Sequence, residues 1–323
     1  MSMRTIGVMG SGGHLVTGHL PFLGNAKVAG IYDPNAESRQ TASGALGYTP
    51  RTFATPEDLV ASKPDAMLIG SPDKFHPEQL LLVVKAGIPV LCEKPLAVDA
   101  TGLRIVQEAL ERAHAAKLLV ASCHQRRTMI TDLPYGWVRH NLANLEKRFG
   151  SLKHIRLNSN YPQPRRQWKH DRSFLADKFV HDIDYIRVLL GNGAFWASRE
   201  FDSHDHYIVS GSMTYRNSHV GFTCEGTRLH NDRGAFIEYI MLNFEHGDCA
   251  VYTKTGAVRY HDRRTNSSDQ AQSTPMVPGS YDLQNQEVTQ NFVNSRAVHT
   301  AGDLLVNTTA VVALAGPAAY YQG

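Results

Sequence analysis

The chain has 323 residues, 42% hydrophobic and 20% charged, enough for two folded domains and unlike a disordered chain. Its 33 basic and 30 acidic residues leave a net charge of +3, no footprint for nucleic acid or an anionic membrane surface. Cys92, Cys123, Cys224 and Cys249 are far apart with no CxxC pair, which points to reduced thiols and a cytoplasmic location.

Ile6–Met9 is a short apolar run that ends in glycines, so it reads as a buried strand. It is too short for the apolar core of a leader peptide. Val28–Tyr32, Ala66–Ile69, Ile88–Cys92 and Leu118–Ser122 continue the series of apolar strands. Between them, Thr55 caps a helix that begins with Pro56, Glu57 and Asp58. His76–Ala86 is a second helix, stopped by Gly87, and Asp99 caps a third that runs to Ala116. Strands alternating with helices imply a parallel sheet covered on both faces, which is why its strands are apolar throughout.

The second half changes pattern. Pro134–Phe149 and Asp177–Leu190 read as helices and Leu152–Asn158 as a strand. Tyr207–Tyr215, His219–Glu225, Phe236–Phe244 and Cys249–Tyr252 then follow as strands without intervening helices, with Asn217-Ser218 and Gly247-Asp248 as hairpin turns. Arg263–Gly279 reads as a mobile polar loop, and two helices near Gln284–Val298 and Ala301–Ala315 close the chain. No apolar stretch reaches the roughly 18 residues that span a membrane. The expected fold is α/β plus α+β: a parallel sheet in residues 1–125, and an open, mostly antiparallel sheet in residues 126–323.

Three local patterns carry chemistry. The first strand ends in Gly10-Ser11-Gly12-Gly13-His14, a glycine turn whose backbone can approach a pyrophosphate. The third glycine of the dinucleotide fingerprint is replaced by Leu15, so the turn alone is equally a tight strand–helix connection. Asp33 follows about 20 residues on, at the end of the second strand, where an acid accepts from ribose hydroxyls or caps the next helix. It opposes a 2′-phosphate and so favours NAD; nearby Arg39 leaves NADP as the alternative. The third pattern is Glu93-Lys94-Pro95 after the fourth strand, where active sites form in such sheets.

With Gly70-Ser71-Pro72-Asp73-Lys74-Phe75-His76, these motifs resemble the glucose–fructose oxidoreductase/inositol dehydrogenase family, Gfo/Idh/MocA. The resemblance continues through His124-Gln125-Arg126-Arg127, Trp168-Lys169 and the helix Asp177-Lys178-Phe179-Val180-His181-Asp182-Ile183-Asp184 to Leu189-Leu190-Gly191. It implies a Rossmann-type N-terminal domain and a C-terminal domain whose sheet makes homodimer or homotetramer contacts. It also implies hydride exchange between a nicotinamide and a secondary alcohol or ketone of a sugar, polyol, amino sugar or related cyclic compound.

The family's lysine, aspartate and histidine fall on Lys94, Asp177 and His181; the last two share a helix face with Asp184. Cofactor contacts are expected from Gly10, Ser11, Gly12, Gly13, His14, Asp33, Ser71, Pro72, His76, Glu93 and Lys94. Substrate contacts are expected from Arg127, Arg165, Trp168 and Asp184. No metal is expected, the crowded Asp202-Ser203-His204-Asp205-His206 stretch reading as a polar loop. Two departures stand out. Phe179 replaces a family glycine, and Leu175-Ala176 replace a glycine-rich approach. Phe179 either packs against the nucleotide domain, narrows the pocket or displaces the helix. The rival functions are a non-catalytic nucleotide- and sugar-binding regulator, and an NAD-dependent glycosidase.

Overall fold

A computed structural model describes residues 5–162, 174–203, 205–229, 237–276, 278–296, 299–316 and 320–322. The chain begins β1 (Thr5–Met9), α1 (Gly13–Gly18), β2 (Lys27–Tyr32), α2 (Ala36–Leu46), β3 (Arg51–Thr52) and α3 (Pro56–Ala61). It continues β4 (Ala66–Ile69), α4 (His76–Lys85), β5 (Val90–Cys92), α5 (Ala100–Ala115) and β6 (Val120–Ser122). These strands form one parallel sheet in the order β3-β2-β1-β4-β5-β6. The order reverses between β1 and β4, which makes their carboxyl ends the place where such sheets take ligands.

Alternate residues of each strand feed two apolar layers. Ile6, Val8, Ala66 and Leu68 face one layer; Met9, Met67, Ile69 and Val90 face the other. Helix ends follow side-chain chemistry. Thr55 accepts from Asp58 N, and Asp99 accepts from Gly102 N. Asn35, rather than Asp33, caps α2, accepting from Glu37 N and Ser38 N.

The remaining elements are α6 (Pro134–Phe149), β7 (Leu152–Pro162), α7 (Phe174–Leu190), β8 (Phe195–Asp202), β9 (His206–Tyr215), β10 (Ser218–Leu229) and β11 (Ile237–Phe244). Then come β12 (Gly247–Tyr252), β13 (Ala257–Asp262), β14 (Ser267–Gln272), α8 (Pro278–Val293), α9 (Ala301–Ala315) and β15 (Tyr320–Gln322). Nine strands form the second sheet, β14-β13-β12-β11-β7-β10-β9-β8-β15. Its pairs are antiparallel except β7 with β10. Helices α6 and α7 pack on this sheet, and the burial of β9 and β11 alternates accordingly.

The chain divides into two compact units, 1–125 with 282–312, and 126–281 with 313–323. Residues 282–312 therefore group with the first unit, although sequence order placed them in the second. The physical reason is burial: Val288, Phe292 and Val293 of α8 lie in one apolar layer of the parallel sheet, and Leu304 and Val312 of α9 in the other. The expected loop over Arg263–Gly279 is also corrected. Ser267–Gln272 pairs with β13 as an edge strand whose side chains are all exposed, so backbone pairing and not burial makes it a strand. All four cysteines are buried thiols. Among the described residues no helix is long and apolar enough to cross a membrane.

Candidate active site

The glycine turn follows β1 directly. Gly10 adopts φ +78°, and an added Cβ there would overlap the Ser71 backbone, so only glycine lets the ends of β1 and β4 approach. Gly12 and Gly13 are different. Nothing in the protein comes within 4 Å of a Cβ added to either. Internal crowding does not require glycine there, and the open space beside their backbone fits a group approaching it. Leu15, in place of the third fingerprint glycine, is accommodated by Gly70: a Cβ on Gly70 would lie 2.5 Å from Leu15 Cδ1.

Asp33 leans on this turn. Its Oδ2 accepts from Ser11 N at 2.7 Å and from Ser11 Oγ at 3.0 Å, while Oδ1 accepts from Asn35 N at 2.8 Å. Arg39 donates through Nη1 to the Asp33 carbonyl at 2.6 Å. After β4, Ser71 Oγ donates to Gln79 Oε1 at 2.6 Å, and Pro72 is exposed. His76 is 1% exposed, and its nitrogens lie 2.8 Å from the Pro95 and Ser71 carbonyls. It thus ties the loop after β4 to the Lys94-Pro95 turn, which is more than a helix-end role. Burial pulls its imidazole below the ordinary value, against the opposing pull of those two carbonyls.

Glu93 leaves β5 into the interior. Its Oε1 is 2.7 Å from His19 Nε2 and 3.3 Å from His14 Nε2, and its Oε2 accepts from Lys94 N at 3.2 Å. Burial works against ionising this carboxyl, but the charge and hydrogen bonds of His14 and His19 prevail and hold it well below the usual range. His19 Nδ1 is 2.7 Å from Thr289 Oγ1 on α8. Lys94 is half-buried, and the peptide joining it to Pro95 is cis.

In the second unit, α7 carries Asp177, His181 and Asp184 at helical spacing on one face. Asp177 is half-buried, His181 is buried, and Asp184 is fully buried. Arg127 Nε donates to both Asp184 oxygens at 2.9 Å, so these two candidate substrate residues engage each other. Phe179 is fully buried with its ring edge-on to Tyr207 of β9. It therefore packs within its own unit, filling the space between α7 and the sheet. Arg165 and Trp168 lie outside the described residues, as does His204.

Several residues here were not singled out from the sequence. Arg126 pairs with Asp182, donates to Glu238 Oε1 at 2.8 Å and to Ser159 Oγ at 3.1 Å, and Tyr207 donates its hydroxyl to Asp182. All of these side chains are buried. Burial raises the Asp182 carboxyl despite Arg126. For Glu238, burial is outweighed by the Arg126 charge, and the carboxyl is lowered. Charged residues on the apolar faces of α7 and β11 were the available signal. His19 gave a weaker one, a second histidine just beyond a six-residue helix.

Residues 4–122 match the model of GFO_IDH_MocA, an oxidoreductase family with an NAD-binding Rossmann fold. Inositol 2-dehydrogenase of Klebsiella pneumoniae (strain 342) is 36% identical over 247 residues, 73% of this chain and 67% of that protein. Inositol 2-dehydrogenase of Agrobacterium fabrum is 31% identical over 170 residues, 52% of this chain and 48% of that one. The chain spans about half the length of the first curated relatives it matches: 48%, 56% and 55%. A solved oxidoreductase from Agrobacterium radiobacter, in complex with NAD+, L-tartaric acid and magnesium, has the same fold. Its TM-score is 0.75 at 14% identity, with 97% of this chain and 95% of that one covered. The fold and the glycine turn thus define a Rossmann-fold protein with a second, mostly antiparallel domain. The chain belongs to the Gfo/Idh/MocA family.

Proposed function

We propose that the protein is an NAD-dependent dehydrogenase of cyclic polyols or related sugars, exchanging hydride with a secondary alcohol or ketone. The observation that carries this reading is the Asp33 carboxylate, held against a glycine turn whose Gly12 and Gly13 face open space. That arrangement suits ribose hydroxyls and a pyrophosphate, and its negative charge disfavours a 2′-phosphate. Arg39 is engaged by the Asp33 carbonyl, which supports NAD over NADP. Gly10, Ser11, His14, Ser71, Pro72, His76 and Glu93 form the rest of the cofactor's surroundings. The substrate class is supported by the inositol 2-dehydrogenases among the relatives.

When bound, NAD supplies the hydride acceptor, and NADH the donor. Lys94 hydrogen-bonds the reacting oxygen and stabilises negative charge developing on it. His181 moves the hydroxyl proton, a task suited to imidazole near neutral pH. Asp177, one helical turn before it, orients the hydroxyl. Arg127 and Asp184 act as a pair that shapes the substrate end of α7. Exposed Trp196, Phe201 and Ile237 on the second sheet support a homo-oligomer, which light scattering reads directly.

The test is a fluorescence titration with NADH and NADPH on wild type and Asp33→Ala, followed by a screen of inositols and keto sugars at 340 nm. Tight NADH binding, weakened at least about tenfold by the substitution, with turnover of a polyol, is the expected result. No binding of either nucleotide overturns the dehydrogenase, whereas binding without turnover of any polyol or keto sugar favours the regulator. Release of an aryl leaving group without net absorbance change identifies a glycosidase.

A further inference from the structure

Four metal-ligand side chains converge inside the first unit. They are His14 of α1, His19 just beyond it, Glu93 after β5 and Cys123 after β6. One ligand atom from each, two imidazole nitrogens, a carboxylate oxygen and a thiol sulfur, lies within 4.8 Å of all the others. Glu93, His19 and Cys123 are buried, whereas the His14 side chain is 51% exposed. From these we infer a zinc site: Zn2+ held tetrahedrally by His14, His19, Glu93 and Cys123.

The donor set chooses the metal. Thiolate and imidazole suit zinc and neighbouring transition ions, while magnesium and calcium take oxygen ligands. Charge also fits. A carboxylate and a thiolate balance a dication, and the two neutral imidazoles add nothing, so the buried centre is neutral as a whole. A thiol coordinates zinc as the thiolate, so zinc binding releases protons.

The outer contacts are those of a ligand histidine. Thr289 Oγ1 lies 2.7 Å from His19 Nδ1 and leaves Nε2 turned toward Glu93. A hydroxyl both donates and accepts, so it serves either tautomer. Without metal, the Nε2 proton goes to Glu93; with metal, Nε2 offers its lone pair and Nδ1 donates to Thr289. Exposed His14 provides the way in. Its imidazole turns to Glu93, and its main chain belongs to the glycine turn, so metal and dinucleotide call on different atoms. The inference stands independently of the proposed reaction.

The experiment uses tag-free, chelator-stripped full-length protein, loaded with Zn2+ or Co2+ by dialysis and assayed for bound metal. One equivalent per chain is expected, with proton release on titration. The cobalt form should show strong visible bands of tetrahedral geometry and a near-ultraviolet thiolate-to-cobalt band. Cys123→Ser should abolish the thiolate band. His14→Ala, a change at an exposed position, should weaken zinc at least about tenfold, and Thr289→Val about 10–100-fold. Circular dichroism confirms that each variant is folded. Failure of the wild type to retain metal, or a cobalt spectrum unchanged by Cys123→Ser, overturns the site and leaves a hydrogen-bonded cluster.

Discussion

Leu15 and Gly70 fit each other: the leucine that replaces the third glycine of the fingerprint occupies the space beside a glycine at the end of β4. A Cβ on Gly70 would stand 2.5 Å from Leu15 Cδ1 and 3.0 Å from Leu15 Cβ. The bulk that the fingerprint excludes on the helix has been taken up on the neighbouring strand.

Gly70→Ala should therefore overpack this contact and cost about 1–3 kcal/mol. Leu15→Ala alone should also destabilise, by leaving a cavity. Combined, the two should cost less than their sum, because the smaller residue 15 makes room for the new methyl. Urea unfolding of the four proteins reads the cycle. Strict additivity would contradict the fit.

Lys94→Ala should lower kcat about 100–1,000-fold, the usual cost of removing one group that stabilises developing charge. NADH affinity should change by no more than about threefold, since the adenosine and pyrophosphate contacts lie elsewhere. Steady-state kinetics and fluorescence titration separate the two effects. Intact turnover would remove Lys94 from the chemistry.

Arg126→Met should destabilise the second unit by about 3–5 kcal/mol, because Asp182 and Glu238 would keep their burial and lose their cation. Adding Glu238→Gln should return part of that loss. Chemical denaturation followed by tryptophan fluorescence measures both. Equal stability of wild type and Arg126→Met would show that the buried carboxyls find compensation elsewhere.

His76 predicts a pH dependence. Its folded pKa lies below the ordinary 6.5, chiefly through burial. In the window just below pH 6.5 the unfolded chain binds a proton that the folded chain does not, so stability is lost as pH falls. His76→Gln has no such titration. Its stability deficit against wild type should shrink between about pH 7.5 and about pH 5.5. A constant deficit would show that His76 has the same pKa in both states.

The parallel sheet was legible because its strands are buried on both faces and its helices carry caps at Thr55 and Asp99. Asp33 and the glycine turn were legible from spacing alone. β3, with two exposed residues, and β14, exposed throughout, left no apolar pattern to read. Asn35 was hidden by the neighbouring Asp33, since either residue is a good cap. The place of Phe179 was open because helical spacing shows only that it leaves the face of Asp177 and His181; contact with Tyr207 decides it. The grouping of His14, His19, Glu93 and Cys123 was not legible, because it depends on which strand ends become neighbours.

The return of α8 and α9 to the first unit has a consequence for how the protein is made. Val288, Phe292 and Leu304 complete apolar layers whose other members are translated far earlier. The ribosome must deliver the chain as far as Val312 before the first sheet can close its surfaces. A fragment ending at Gln125 would leave both layers short of side chains. The first sheet is thus finished by residues made after 126–281, the larger part of the second unit, has already been translated.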